Sequence, residues 1–477
     1  MIQEDQFEME DIEQENNNST HTKRNYTWAE WVNHFKRTYG ASVIVLLIFA
    51  YFNLGFRVMY ILSLKDLFKM YLGLEPAEAQ LFSSLISLPI ALKILYGLMV
   101  DNIKFFHNSR KNYLKWCGVV MVLSLFLLTL PIMQNKYLTL MMLMIYSIST
   151  SVADVVCDAI MVTSSRKDPE HGSSDLQTLH VVWIWLGGIF GSAIASVTTE
   201  YLHPFYIFTM YAVMGIIYST FAFCIEDIEA DENARASENI DKSLKHLSRP
   251  IVYRWMIFIF VSRAIIPSYS DILYYWFINV LNFSKSTIAI LALVAFITAI
   301  MGSFSYNWFL KKLEFRTTMI VAHIVIAIAV LGIFLLVTRI SKNIFGFNDY
   351  LFAFFGDAVI ETLFVAFIYM PTLVLQTKIV PKNTEATVYS FFSSLMIFGN
   401  QFVSPLFGSF IANIFGVTKD NFDSIGTIVL IEFGLSLAPL ALIWILPKNQ
   451  EIQEFYQQLA NENTEMLEIK GRKTRVF

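Results

Sequence analysis

The sequence predicts an all-α membrane protein with twelve transmembrane helices arranged as two sets of six. Three observations carry this. Hydrophobic residues make up 55% of the 477-residue chain and charged residues only 16%, against ~25% charged in ordinary soluble domains. Apolar runs long enough to cross about 30 Å of hydrocarbon at 1.5 Å per residue recur along the chain. The longest polar insert, residues 226–250, divides those runs six and six. The net charge of −4 offers no basic surface to nucleic acid.

Taken in order, residues 1–40 form a polar tail. The acidic start MIQEDQFEMEDIEQENNN lacks the basic beginning and apolar core of a cleavable signal peptide. Its amphipathic end, Trp28 to Tyr39, suits the surface of a membrane. The twelve runs then fall at 41–62, 79–100, 114–133, 137–162, 176–199, 205–225, 251–280, 286–310, 317–338, 350–378, 384–412 and 424–446, numbered here as spans 1–12. Residues 41–225 make the first six-helix half and 251–446 the second. The linker 226–250 joins them, and 447–477 is a C-terminal tail.

The basic residues set the orientation. With both termini in the cytoplasm, 25 of the 35 lysines and arginines lie on the inner side, 7 on the outer side and 3 within spans. The sequon Asn282-Phe283-Ser284 then faces outward, open to glycosylation. Two six-helix halves joined by a cytoplasmic linker are the plan of the major facilitator fold, in which the halves are parallel repeats about an axis normal to the membrane.

Ionisable groups inside spans are costly and mark pathways or partners. Counting from span ends puts Arg57, Asp271 and Asp357 in an outer vestibule. It puts Lys93, Arg263, Glu361 and Asp154 at a central site, and Asp158 with Asp101 toward the cytoplasmic end. Arg57, Lys93 and Arg263 suit an anionic substrate, because guanidinium and ammonium groups bind carboxylates. Asp154 and Asp158, at i and i+4, share a helix face. Two carboxylates so close call for a cation, either Lys93 or Arg110. Asp154, Asp158 and Glu361 are the candidates for carrying a proton. Gly97, Asp101, Arg110 and Lys111 lie where span 2 passes through a loop to span 3, and form a candidate cytoplasmic gate. His180, His323 and Glu432 are further buried ionisable groups.

Other features read as structure. Gly187, Gly188 and Gly191 allow close helix packing. Pro267 breaks span 7, and the Tyr274-Tyr275-Trp276 cluster beyond it reads as an interfacial aromatic belt. Cys117, Cys157 and Cys224 read as small core residues. No phosphate-binding loop, nucleophile elbow or metal-ligand spacing is present, so neither enzyme chemistry, a cofactor nor a metal is expected.

Three stretches stand out: LPIALKILYGLMVD (88–101) with Arg110, Lys111 and Tyr113; DVVCDAIMV (154–162); and Pro371 with IVPKNTEATVYSFFSSLMIFGN (379–400). In that order they resemble the second-span motif, the fourth-span motif and the motif across spans 10 and 11 of the folate–biopterin transporter family, a branch of the major facilitator superfamily, and Pro267-Ser268 fits as well. The likeness runs from about Tyr51 to Leu446. It implies a secondary transporter working by alternating access on folates or pterins, with proton symport. S-Adenosylmethionine is an alternative cargo, and a non-transporting receptor or scaffold on the same fold an alternative role. The expected partners are the solute, protons and the lipid of a plasma membrane or endomembrane.

Overall fold

The computed structural model describes residues 28–102, 109–130, 135–165, 167–168, 172–224, 244–306, 310, 313–379, 385–455 and 457–458. Every regular element among them is helical. The chain divides into two compact units, Met1–Val45 and Leu46–Phe477. In the first, residues Trp28–Tyr39 form the helix that the amphipathic pattern predicts, and the rings of Phe35 and Tyr39 meet edge to face at 5.1 Å. The second carries the membrane helices from Leu46 onward.

Among the described residues, nine helical runs are long and apolar enough to cross a membrane. The other three predicted spans are helical but depart from that pattern for identifiable reasons. Span 3 is Ser109–Leu127, so Arg110 and Lys111 sit in its first turn, not in the loop expected from their polarity. Span 7 is split into Pro250–Ala264 and Ser270–Asn279. Span 10 runs as Asp349–Phe364, a π-helical turn Val365–Tyr369, and Met370–Ile379. Span 1 is longer than its apolar core predicts. It continues to Tyr71, because Leu67–Tyr71 adds a π-helical turn after the polar Lys65 and Asp66.

The helices alternate between a linker face, which holds the ends of spans 2, 6 and 12, and an opposite, distal face. Small residues let them approach closely. A Cβ on Gly55 of span 1 would lie 1.9 Å from the Ile184 carbonyl oxygen of span 5. One on Gly187 of span 5 would lie 2.0 Å from that of Phe52. Only glycine fits where two backbones touch like this, as the glycine pattern in span 5 predicts. Serine hydroxyls tie neighbouring helices together. Ser147 donates to the Ile86 carbonyl at 2.6 Å, and Ser149 to that of Cys117 at 2.6 Å.

The two halves meet along spans 2 and 11 and along spans 5 and 8. Ser84 donates to Phe402 O and Ser409 to Ala77 O, each at 2.6 Å. At the second seam, Gly188 faces the ring of Phe296. The Pro267 break in span 7 frees backbone groups, and span 11 satisfies them. Ser268 N donates to Ser404 O at 3.1 Å, and Ser404 Oγ donates to Ile266 O at 2.7 Å. Irregular backbone at membrane depth is tolerated where other helices supply partners in this way.

The aromatic run after the break is not an interfacial belt. Tyr274, Tyr275 and Trp276 are 4%, 1% and 2% exposed, and Tyr275 Oη donates to Leu74 O across the seam between halves at 3.0 Å. The polar break and the nearby distal loops let large rings turn inward here. Cys117 and Cys157 are free and buried, as small core residues.

Candidate functional site

A cavity of about 260 Å³ lies between the halves. Lys93, Asp154 and Arg57 bring charge to it from spans 2, 4 and 1. Asn53, Thr150, Ser151 and Gln401 add polar groups, and Tyr211 and Tyr369 add rings. Four of these side chains sit at or beside a departure from regular α geometry. Pro89 cannot donate within its helix. The chain tightens there, with Leu92 N bonded to Pro89 O at 3.1 Å, and a new helix starts at Lys93. Arg57 occupies the junction between the helices Ala41–Phe56 and Val58–Asp66. Tyr369 ends the π-helical turn of span 10, and Gln401 lies in the π-helical turn Phe398–Val403 of span 11. Such turns concentrate at functional sites.

The charges pair unequally. Lys93 Nζ forms an ion pair with Asp154 that is nearly buried on both sides. Arg57 has no carboxylate partner among the described residues, and its buried Nε has no hydrogen-bond partner. Because Lys93 and Asp154 cancel, Arg57 gives the cavity an excess positive charge. One turn along span 4, the second carboxylate, Asp158, has no ion pair among the described residues. Its neighbour is the Tyr51 hydroxyl at 3.5 Å, and Tyr51 in turn lies against the His180 ring, with centroids 4.2 Å apart. Of the two aspartates, Asp154 has its cation in Lys93.

The structure thus gathers Arg57, Lys93 and Asp154, with Asp158 just beyond. Arg57 was expected nearer the outside; the extension of span 1 to Tyr71 puts it close to the middle of its helix. Arg263 does not line this cavity. It packs beside Gly399, where a Cβ would lie 3.1 Å from that of Arg263. Asp271 is 2% exposed and ion-paired with Lys65 at 3.2 Å. His323 Nδ1 shares a hydrogen bond with Met319 O at 2.8 Å within its own helix. The side chains of Asp101, Arg110, Asp357 and Glu361 lie outside the described residues. Gly97 faces span 4, with Val155 Cγ1 3.9 Å from where its Cβ would be.

Sequence reasoning missed Asn53, Tyr369 and Gln401. A signal for the last two was present. Pro371 and Pro405 come after them and lack the N–H groups that would bond the carbonyls of Phe367 and Gln401, which leaves those turns free to widen.

Toward the distal face, three ion pairs join the halves among the described residues. They are Lys65–Asp271 at 3.2 Å, Lys285–Asp66 at 2.8 Å and Lys419–Glu75 at 3.4 Å. Gln80 Oε1 also accepts from Asp271 N at 2.8 Å, and Lys69 donates to Asn279 at 2.6 Å.

Two six-helix halves around a central polar cavity define a membrane protein with the major facilitator fold. Solved structures agree. A D-xylose–proton symporter superposes with a TM-score of 0.64 at 12% identity, covering 87% of this chain and 99% of that one. The xylose transporter XylE from E. coli in an inward-open conformation gives 0.60 at 13%, covering 87% and 99%. The chain belongs to the BT1 family, which it matches over residues 54–465. It is 26% identical over 400 residues to a folate-biopterin transporter of Synechocystis, covering 83% of this chain and 80% of that protein. It is 24% identical over 415 residues to folate transporter 1 of Plasmodium falciparum, covering 86% and 80%. A probable folate-biopterin transporter of Arabidopsis thaliana is 22% identical, covering 88% and 98%.

Proposed function

We propose that the protein carries folate- or pterin-type solutes across a membrane by alternating access, with protons as the coupling ion. The observation that carries this reading is the central cavity, where Arg57 stands beside a self-cancelling Lys93–Asp154 pair. An anionic or acceptor-rich group suits the excess cation, and a flat ring suits Tyr211 and Tyr369. A sulfonium cargo such as S-adenosylmethionine is disfavoured by the same excess charge. The volume of about 260 Å³ is just under the ~300 Å³ at which drug-sized sites begin, enough for a pterin ring system.

The halves rock about this site, as the fold allows. Ion pairs at the distal face hold one state. At the linker face Gly97, Asp101, Arg110 and Lys111 form the opposing gate. Arg263, Asp357 and Glu361 are the second half's contribution to the pathway, with Asp271 in the distal closure. Asp158 takes up and releases the coupling proton, because it can do so without breaking the Lys93–Asp154 pair. The linker face lies in the cytoplasm, following the bias of lysine and arginine.

The test is uptake of labelled folate, biopterin and S-adenosylmethionine into vesicles containing the purified protein, with and without an inward proton gradient. Gradient-driven uptake of folate or biopterin is expected. Uptake of S-adenosylmethionine alone, or of none of the three, refutes the reading.

A further inference from the structure

Asn53 and Arg57 lie one turn apart on span 1, and both line the cavity. Residues four apart on a helix share a face. Asn53 is 5% exposed, yet its Oδ1 has no hydrogen-bond partner. The buried Nε of Arg57 has none either. Buried polar atoms are rarely left unmet, and each one calls for an explanation. Here the two have opposite sense, acceptor and donor, side by side on one wall. The other charged groups of the cavity, Lys93 and Asp154, already satisfy one another.

The geometry points to a reader for a lactam edge, –NH–C(=O)–, in the cargo. Asn53 Oδ1 accepts the ring N–H, and the Arg57 guanidinium donates to the adjacent carbonyl oxygen. The amide of Asn53 is engaged with the Tyr211 hydroxyl, which leaves its Oδ1 as the acceptor, and a guanidinium only donates. Together they set the polarity of the edge that fits. The oxidised 2-amino-4-oxo ring of pterin carries such an edge at N3–H and O4. In 2,4-diaminopteridine the same two positions are inverted, because an amino group replaces the oxygen and the ring nitrogen loses its hydrogen. This inference rests on the pterin reading of the cavity and adds which edge of the ring is recognised and by which residues.

The test compares binding of pterin and 2,4-diaminopteridine to the full-length protein in lipid nanodiscs. Wild type is expected to favour pterin about tenfold or more, since a site built around buried polar groups rejects analogues that leave them unpaired. Arg57→Gln, whose amide presents either a donor or an acceptor, is expected to lose most of that preference. Equal wild-type affinities, or an undiminished preference in Arg57→Gln, overturns the edge assignment and leaves the pterin reading standing. Failure of wild type to bind either compound overturns the pterin reading and this inference with it.

Discussion

Lys65 on span 1 and Asp271 on span 7 form an ion pair at 3.2 Å across the seam between the two halves, with the carboxylate nearly buried and the ammonium partly exposed. Gln80 of span 2 accepts from the backbone N–H of the same aspartate. The contact exists only while the halves are together at the distal face. Asp271→Asn is expected to remove roughly 2 kcal/mol from this closed arrangement, the scale of a hydrogen bond to a charged group. That shifts the population about thirtyfold toward distal opening. Labelling of a cysteine placed at Gln401 by a membrane-impermeant reagent applied from the distal side should speed up accordingly. The swap Lys65→Asp with Asp271→Lys should slow it again.

Lys93 and Asp154 form a pair whose partners are costly to separate. Lys93→Met or Asp154→Asn alone leaves a buried charge uncompensated, at about 3–5 kcal/mol. Each should lower the thermal unfolding temperature in detergent. The double variant Lys93→Met with Asp154→Leu should recover most of that stability, because a well-packed apolar pair often replaces an ion pair without loss. It should not recover uptake.

Asp158 is the proposed proton carrier. Asp158→Asn should leave solute exchange between the two sides of a vesicle intact and abolish the response of uptake to an inward proton gradient. A gradient response equal to wild type would move the coupling role elsewhere, with Glu361 the next candidate.

Pro405 lies four residues after Gln401, so the Gln401 carbonyl receives no helical N–H from it. Pro405→Ala restores that donor and should draw Phe398–Val403 toward regular α geometry, turning Gln401 away from the cavity. Thermal stability is expected to hold or rise. Uptake is expected to fall about tenfold.

Among the described glycines, Gly55 is the most crowded. Gly55→Ala places a Cβ 1.9 Å from a carbonyl oxygen of the neighbouring helix, where backbone cannot yield. Overpacking on this scale costs about 1–3 kcal/mol or more, and the yield of folded protein after detergent extraction should fall with it.

The membrane helices were legible because apolar runs in a polar solvent have few alternatives. Lys93 and Asp154 were legible because a charge in hydrocarbon is conspicuous. Depth was harder to read. Counting residues from a span's end assumes that the apolar run and the helix end together, but span 1 carries Lys65 and Asp66 well inside its helix. Arg57 was therefore set too far out. Tyr369 and Gln401 were harder to read for another reason, even with Pro371 and Pro405 marking the turns. A π-helical turn inserts a residue and rotates everything beyond it, so the face that a side chain presents no longer follows from its spacing. Tyr274–Trp276 misled because aromatic residues near a span end also fill protein–protein seams, and composition does not distinguish the two.

Gly188 opposite Phe296 has a mechanical meaning. A bare backbone against a flat ring offers no knobs and holes, so this point of the seam favours no one angle between the halves over another. It behaves as a plain bearing, carrying load while resisting rotation little. Discrete stops are supplied instead by the distal ion pairs and by the serine–carbonyl bonds between spans 2 and 11. The carboxylates of two of the distal pairs, Asp66 and Asp271, are each 2% exposed, so salt screens those stops less than it would a surface pair.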